Sequence, residues 1–195
     1  MTATILPFAL PLDQASFGSF EHSSGTPRRL SAMKDSYGDA AAADAILAND
    51  DPVIYDFHAV RDMEDRQKLI FGVTTIYPGT VGDEYYMTKG HFHDRARDGD
   101  EIYLVIEGSG HLLLQARDGE SQVIEMLPGA LLYTPSTWAH RTVNSGETDL
   151  VFLSIWAWNV DYDYETIVAR GGFPKRVVKR PAGPAIIDNE DFHVD

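Results

Sequence analysis

The chain of 195 residues contains no cysteine. Disulfides, iron–sulfur clusters and thiolate zinc sites are therefore excluded, and a bound metal would need histidine and carboxylate ligands. Basic residues are also scarce, with 16 Lys and Arg against 30 Asp and Glu, which gives a formal net charge of −14. Because nucleic acid attracts the opposite charge balance, we expect no nucleic-acid partner.

Long apolar runs are missing as well. No stretch reaches the roughly 20 apolar residues that a membrane-spanning helix needs. The short apolar run at residues 5–12 contains Pro7 and Pro11 and follows no Lys or Arg, which argues against a secretory signal peptide. We therefore expect a cytoplasmic protein with no membrane partner. A hydrophobic content of 44% indicates a globular chain, and its length fits one domain with a sizeable core.

Short β-rich runs separated by turn signals dominate the chain after Pro52. Dipeptides such as Pro78-Gly79, Asp118-Gly119 and Pro128-Gly129 mark the turns. The runs are residues 53–57, 69–77, 84–88, 102–106, 111–116, 122–126, 130–134, 139–143 and 150–158. Many short strands with no helices between them predict an all-β antiparallel sandwich or barrel.

Three regions follow from this pattern. Residues 1–50 form an N-terminal arm, irregular up to residue 38 and ending in a helix predicted at residues 39–49. Residues 51–180 form the barrel, with a helix of one or two turns at residues 164–169. Residues 181–195 form a C-terminal tail; a last strand begins at Lys175, and a loose end follows it.

Three histidines and a carboxylate provide the strongest functional signal. His91 and His93 lie two residues apart, so on a strand their side chains point to the same face. Glu101 begins the next run, which a hairpin would bring alongside the histidine pair, and His140 completes the set from a later strand. Alternation sends the neighbouring Asp100 to the opposite face. The set suits Fe, Mn, Zn, Ni or Cu and leaves coordination positions open, as in catalytic sites.

The sequence around these ligands resembles that of the cupin superfamily and, more specifically, that of the cupin-type glucose-6-phosphate isomerases. The resemblance covers residues 54–172. It is carried by residues 74–79 (TTIYPG), 82–93 (GDEYYMTKGHFH), 101–103 (EIY), 108–110 (GSG), 113–115 (LLQ) and 138–144 (WAHRTVN). It implies a cupin jelly-roll barrel that works as a homodimer and interconverts glucose 6-phosphate and fructose 6-phosphate. It also implies one divalent metal ion per subunit, preferably Fe²⁺, with Mn²⁺, Ni²⁺ or Zn²⁺ also compatible.

The resemblance assigns roles to individual positions. The metal ligands are His91, His93, Glu101 and His140, and Glu101 is also the best-placed general base for a proton-transfer route. The residues that bind the sugar phosphate are Thr74, Thr88, Gly90, Tyr103 and Tyr164. Lys89 and Arg141 are further candidate phosphate donors, since charge-assisted hydrogen bonds are the stronger ones.

Two departures from the family pattern stand out. The segment between His93 and Glu101 is one residue longer than the pattern, which bears on the position of Glu101. Trp156 replaces an expected tyrosine, which bears on sugar specificity. An isomerase for another sugar phosphate, such as mannose 6-phosphate, therefore stays open. So do a metal dioxygenase with the same ligands and a non-enzymatic sugar-binding cupin, because the fold alone does not decide chemistry.

Overall fold

The computed structural model describes residues 7–61, 69–93, 99–158 and 160–194. These described residues contain three short α-helices: α1 (Gln14–Ser19), α2 (Ala40–Leu47) and α3 (Glu165–Ala169). The helix predicted at residues 39–49 is confirmed as α2, and Asp39 caps it because its Oδ1 accepts the Ala42 N–H at 2.8 Å. Helix α3 confirms the short helix predicted at residues 164–169. In the described part of the chain, no helix has the length and hydrophobicity needed to cross a membrane.

Sixteen strands carry the rest of the described fold. In chain order they are β1 (Ser23–Gly25), β2 (Arg28–Arg29), β3 (Val53–Val60), β4 (Leu69–Ile76), β5 (Thr80–Val81), β6 (Glu84–Tyr85), β7 (Phe92–His93), β8 (Glu101–Glu107), β9 (Gly110–Ala116), β10 (Ser121–Met126), β11 (Leu131–Thr134), β12 (Trp138–Asn144), β13 (Leu150–Ala157), β14 (Tyr162–Asp163), β15 (Lys175–Arg180) and β16 (Gly183–Asp188). The nine β-rich runs of the sequence all contain strands, so the all-β prediction is confirmed.

The strands form the facing antiparallel sheets of a cupin jelly-roll barrel. The larger sheet has the order β1-β3-β4-β13-β8-β11, with β2 also paired to β3. Opposite it, β10-β9-β12 form a second sheet, to which the short pair β14-β7 is joined by an isolated bridge between His91 and His140. A third group, β16-β15-β6-β5, is joined to β12 by the Met87–Val143 bridge. The space between the sheets holds the main hydrophobic core and the candidate site.

Alternation along the strands decides which side chains face this interior. Every second residue of β13 is buried, from Leu150 to Trp156, and the residues between them are more exposed. Strand β8 follows the same rule, with Glu101 and Tyr103 inward and Ile102 outward. Register places Tyr103 opposite Ser154, and Glu101 opposite Trp156. The inner face of the larger sheet thus presents a carboxylate and a phenol side by side.

The predicted hairpin that would bring Glu101 alongside the histidine pair is wrong. Strand β8 pairs with β11 and β13 in the larger sheet, whereas β7 pairs with β14 on the opposite wall. Gly108, with φ +77°, lies where the chain leaves β8 and crosses to β9 in the other sheet. Glu101 and the histidines therefore approach one another across the barrel interior.

The described part of the arm is ordered against its own barrel, and the prediction that it is irregular is wrong there. Strand β1 pairs with β3 over three residue pairs. Phe17 of α1 is 1% exposed and packs against Val60 and Val73 on the outer face of the larger sheet. The Gln14 amide donates to the Asp56 and Val73 carbonyls at 3.1 and 3.2 Å. These contacts extend the barrel rather than leaving a free segment.

The end of the chain is also structured. Strand β16 pairs with β15 over six residue pairs, so a hairpin replaces the predicted loose end. Asn189 fixes the turn that follows, because its Nδ2 donates to the Gly171 and Phe173 carbonyls at 2.8 Å. The arm and the tail both contribute strands to the barrel's sheets.

Candidate metal centre

Four side chains converge in the barrel interior: His91, His93, Glu101 and His140. One potential ligand atom from each lies within 4.8 Å of those of the others. The Glu101 Oε2 atom lies 3.4 Å from His93 Nε2 and 3.3 Å from His140 Nε2. Glu101 therefore lies in the cluster, although the segment before it was expected to be one residue longer than the family pattern. Residues 94–98 of that segment lie outside the described residues.

Backbone pairing sets the relative positions of the histidines. His91 N donates to His140 O at 3.3 Å, and His140 N donates to His91 O at 3.1 Å. The Nδ1 atom of His93 is bonded to the Gly99 carbonyl. Because a carbonyl only accepts, Nδ1 carries the proton, and the lone pair of His93 lies on Nε2, which faces Glu101.

The imidazoles are suited to metal binding in their protonation state. Burial, together with the neighbouring His93, lowers the pKa of His91 to about 3. Burial also lowers the pKa of His140 to about 3, although the Glu101 carboxylate opposes the shift. Both rings are therefore neutral near pH 7, and neutral imidazole is the form that binds metal ions.

One ring nitrogen of each histidine in the cluster lacks a hydrogen-bond partner among the described residues. The Nε2 atoms of all three histidines are buried, and none makes a hydrogen bond with another described residue. Unpartnered buried polar atoms are rare in native proteins and call for an explanation such as an ion. Three imidazoles and one carboxylate at these spacings fit a first-row divalent metal ion.

A cavity of about 500 Å³ opens beside the cluster. His91, Glu101 and His140 contribute to its lining. All five residues that the sequence predicted to bind the sugar phosphate line it too: Thr74, Thr88, Gly90, Tyr103 and Tyr164. Their convergence comes from both walls of the barrel, since Thr74 and Tyr103 belong to the larger sheet and Thr88 and Gly90 to the opposite wall. The substrate-binding roles themselves stay predictions.

The two cationic residues proposed as phosphate donors are placed differently. Lys89 lines the cavity, and its Nζ lies 5.0 Å from the ring centroid of Tyr164. Arg141 is 4% exposed and lies outside the cavity lining. Its Nη2 donates instead to the Lys89 carbonyl at 2.7 Å. Arg141 therefore does not offer its guanidinium to a ligand in this cavity.

Two further residues singled out in the sequence, Asp100 and Trp156, lie on or beside strand β8. Asp100 points away from the cluster, as alternation predicted, and its Oδ1 accepts the Ser136 N–H at 2.9 Å. Trp156 is 3% exposed, lines the cavity and pairs with Glu101 across β13 and β8. The indole thus occupies the wall beside the carboxylate.

Sequence reasoning missed several residues of the cavity wall. Arg28 of the arm and Arg61 at the end of β3 both line the cavity. Tyr55 and Tyr162 line it as well. The ring of Tyr162 lies edge-on to that of His91, with the ring centroids 4.7 Å apart. The dipeptide Arg28-Arg29, in so acidic a chain, was the sequence feature that could have indicated that the arm contributes to the cavity. Nothing in the local pattern distinguishes Tyr162 from an ordinary strand tyrosine.

Burial and charge also affect the tyrosines of the cavity. Burial raises the pKa of Tyr103 well above its usual value, and the neighbouring Glu101 carboxylate raises it further. Burial raises the pKa of Tyr164 to about 12. Both phenols therefore keep their protons near pH 7, and the Tyr103 hydroxyl is hydrogen-bonded to the Glu101 carboxylate.

Comparison with known proteins agrees with the geometry. The family model of glucose-6-phosphate isomerase (GPI) matches residues 27–189. A glucose-6-phosphate isomerase of Thermococcus litoralis is 40% identical over 188 residues, which cover 96% of this chain and 97% of that one. Another, from Sinorhizobium medicae, is 35% identical over 179 residues, covering 91% and 83%.

One solved structure gives a partial match. A deletion mutant of Bacillus subtilis oxalate decarboxylase matches with a TM-score of 0.45 and 22% identity, covering 53% of this chain and 26% of that one. The family assignment rests instead on the family model and on the two relatives, which this chain matches over most of its length. The chain therefore belongs to the glucose-6-phosphate isomerase family and is an enzyme of that family.

Proposed function

We propose that this enzyme interconverts glucose 6-phosphate and fructose 6-phosphate, a reaction of glycolysis and gluconeogenesis, with one divalent metal ion per subunit. One observation carries the proposal. The histidine–glutamate cluster, with its ligand atoms within 4.8 Å of one another, lies beside a sugar-sized cavity that cationic side chains also line. That combination suits a small anionic substrate whose reacting oxygens need polarisation.

The metal ligands in this proposal are His91, His93, Glu101 and His140. Fe²⁺ is the preferred ion on the family resemblance, and Mn²⁺, Ni²⁺ and Zn²⁺ suit the same donors. When bound, the ion would polarise the C1 and C2 oxygens of the sugar and stabilise negative charge that develops there. The unpartnered Nε2 atoms of the three histidines support this assignment.

The phosphate group would lie against the cationic side of the cavity. Arg28, Arg61 and Lys89 line the cavity, against the single carboxylate of Glu101 among its described residues. This local positive charge contrasts with the net charge of −14 of the whole chain. The Oγ1 atom of Thr88 accepts the Thr142 N–H at 3.0 Å, which leaves the hydroxyl proton of Thr88 to donate to a phosphate oxygen.

The chain's own groups also suit the proton movement of the reaction. Glu101 is the carboxylate among the described cavity residues, so it is the candidate base that moves a proton between C1 and C2 through a cis-enediol. Tyr103, protonated near pH 7, lies beside it and is hydrogen-bonded to its carboxylate. A hydride shift between the two carbons is the alternative route, in which Glu101 serves only as a ligand.

The experiment that tests this function is a coupled assay on metal-stripped protein. We expect fructose 6-phosphate to be converted to glucose 6-phosphate only after Fe²⁺ or Mn²⁺ is added, with turnover restored by at least about 100-fold. Mannose 6-phosphate, offered in parallel, tests the sugar specificity that Trp156 leaves open. Protein that binds metal yet turns over neither sugar would contradict the proposal, and oxygen uptake would then test the dioxygenase alternative.

We also propose that the enzyme is a homodimer that uses the outer face of the larger sheet. The arm helix α1 covers this face over β3 and β4, where Phe17 packs on Val60 and Val73. Over β8 and β11 the face is apolar and exposed: Ile102 is 37%, Tyr133 54% and Leu131 69% accessible. Ile102 and Tyr133 are cross-strand neighbours on this face. An apolar patch on an edge strand is typical of a contact with another chain.

Charge placed on this face should separate the subunits. We expect the wild type to show twice the chain mass by light scattering and the Leu131→Lys variant to show the chain mass, because burying a lysine at an apolar contact is costly. Ile124→Lys is the matched control, since Ile124 is 38% exposed on β10 of the opposite sheet. A monomeric wild type, or a Leu131→Lys variant that stays dimeric, would refute this interface.

A further inference from the structure

We propose that Arg141 is a positioning residue that holds the Lys89–Gly90 peptide against the substrate cavity from behind, and thereby sets the affinity for the phosphate group. The inference rests on the proposed function, because it assigns the phosphate to the Thr88–Gly90 side of the cavity. It replaces the sequence-based expectation that Arg141 binds phosphate directly.

The contacts of Arg141 fix one peptide. Its Nη2 donates to the Lys89 carbonyl at 2.7 Å, and its Cζ lies 4.7 Å from the ring centroid of Phe173. The carbonyl of Lys89 and the N–H of Gly90 belong to the same planar peptide and point in roughly opposite directions. A donor bound to the Lys89 carbonyl from behind therefore turns the Gly90 N–H toward the cavity.

That N–H is available to a ligand. Within the described chain, Gly90 N makes no backbone hydrogen bond, although Thr88 N and His91 N both pair with β12. Gly90 adopts φ +71°, and a Cβ there would lie 2.6 Å from Phe173 and 3.0 Å from the Arg141 side chain. The backbone thus passes closely between Arg141 and the cavity, as it does at sites where an N–H binds an anion.

Two cavities border this peptide. A second cavity of about 210 Å³ lies behind it, and Lys89, Gly90 and Tyr164 line both cavities. Arg141 lines only the second one. With free volume on both sides, the segment has room to move away from the substrate, and the hydrogen bond from Arg141 opposes that movement.

The guanidinium is itself held in its buried position. Glu84, 5% exposed, supports the positive charge of Arg141 electrostatically. Glu84 in turn accepts the Gly38 N–H at 3.1 Å and lies 3.7 Å from Arg176. A buried charge with a fixed counter-charge is held rigidly in place. The Arg141 guanidinium can therefore act as a rigid support for the Lys89–Gly90 peptide.

The test compares Arg141→Lys and Arg141→Met with wild type in metal-saturated enzyme, using inorganic phosphate as a competitive inhibitor of fructose 6-phosphate isomerisation. We expect the inhibition constant of phosphate and the KM for fructose 6-phosphate to rise by about tenfold, as the loss of a charge-assisted hydrogen bond predicts. The kcat at saturating substrate should change by less than about threefold, since C1 and C2 lie away from the phosphate. Arg141→Lys retains the charge and decides the question if Arg141→Met does not fold.

Arg170→Met is the matched control. Arg170 is also buried, 8% exposed, and its Nη2 donates to the Arg117 carbonyl, but it lines neither cavity. We expect its substitution to lower the melting temperature while the phosphate inhibition constant stays at the wild-type value. Wild-type phosphate inhibition in both Arg141 variants, or an equal loss in Arg170→Met, would overturn the positioning role. A wild-type enzyme without isomerase activity would instead refute the proposed function.

Discussion

Replacing Glu101 by glutamine is expected to lower kcat by about 10²- to 10⁴-fold, the range in which a general base contributes. The amide keeps the size of the side chain and one carbonyl oxygen as a weak ligand, but it cannot accept a proton. If Glu101 acts as the base, the variant should retain its metal ion while it loses turnover. Metal content by atomic absorption and kcat by the coupled assay provide the two measurements.

The neighbouring carboxylate provides the control for this substitution. Asp100 lies one residue away, points out of the cavity and accepts the Ser136 N–H at 2.9 Å. Asp100→Asn should therefore leave kcat within about twofold of wild type, because surface substitutions seldom change more than local stability. If Glu101→Gln loses metal and regains full turnover at high metal concentration, Glu101 is a ligand and not the base.

Solvent isotope incorporation distinguishes the two chemical routes without a variant. Proton transfer through a base exposes the migrating hydrogen to exchange, so the product should carry deuterium from D₂O. A hydride shift keeps the hydrogen on the sugar. Glu101 lies among the residues that line the cavity, next to the protonated phenol of Tyr103, and this position suits a base as well as a ligand, so the isotope measurement decides between the routes.

The local pattern predicted most of the strands, because period-2 alternation and glycine turns are local properties. The Asp118-Gly119 turn is an example: Gly119 has φ +95° and joins β9 to β10, as expected. The pattern could not say which sheet a strand joins. Gly108 is an example, since a glycine after a strand is equally compatible with a hairpin turn and with a connection that crosses to the opposite sheet.

The arm shows a second limit. Gln14 binds Asp56 and Val73 across separations of 42 and 59 residues, and no periodicity within the arm encodes those partners. Arg28 reaches the cavity only because the arm is docked in this way. Contacts between distant segments depend on the assembled barrel, so they became visible only with the structure.

For the candidate site too, the sequence predicted the local features but not the contacts between distant segments. The spacing of His91 and His93 and the order of the motifs predicted the cluster, since ligand chemistry restricts the residue types. Arg141 was assigned to the wrong partner, because a cation in a sequence suits a phosphate and a backbone carbonyl equally well. Only the position of Arg141 behind Lys89 in the structure shows that its partner is the backbone carbonyl and not the phosphate.

Replacing His140 by leucine is expected to affect the metal-free and metal-loaded proteins in opposite directions. The Nε2 atom of His140 is buried and makes no hydrogen bond with another described residue. Such a group costs about 1–3 kcal/mol, so the metal-free variant should unfold at the same temperature as the metal-free wild type or a higher one. The loaded wild type gains about 2.7 kcal/mol at a metal concentration of 100 Kd, an increase in melting temperature of roughly 5–10 °C.

The variant should lose most of that gain together with its isomerase activity, because a ligand has been removed. Thermal unfolding with and without excess Mn²⁺ measures the four states. His111→Leu is the control: His111 is bonded to Ser145 Oγ at 2.9 Å, outside the cluster, so its substitution should leave the metal-induced shift unchanged. A full metal-induced shift in His140→Leu would show that His140 is not a ligand. A metal-free variant much less stable than the metal-free wild type would show that the histidine supports the core by packing. If the substitution leaves the metal-free protein as stable as wild type or more so, and removes the stabilisation by metal, then His140 serves to bind the ion and not to stabilise the fold.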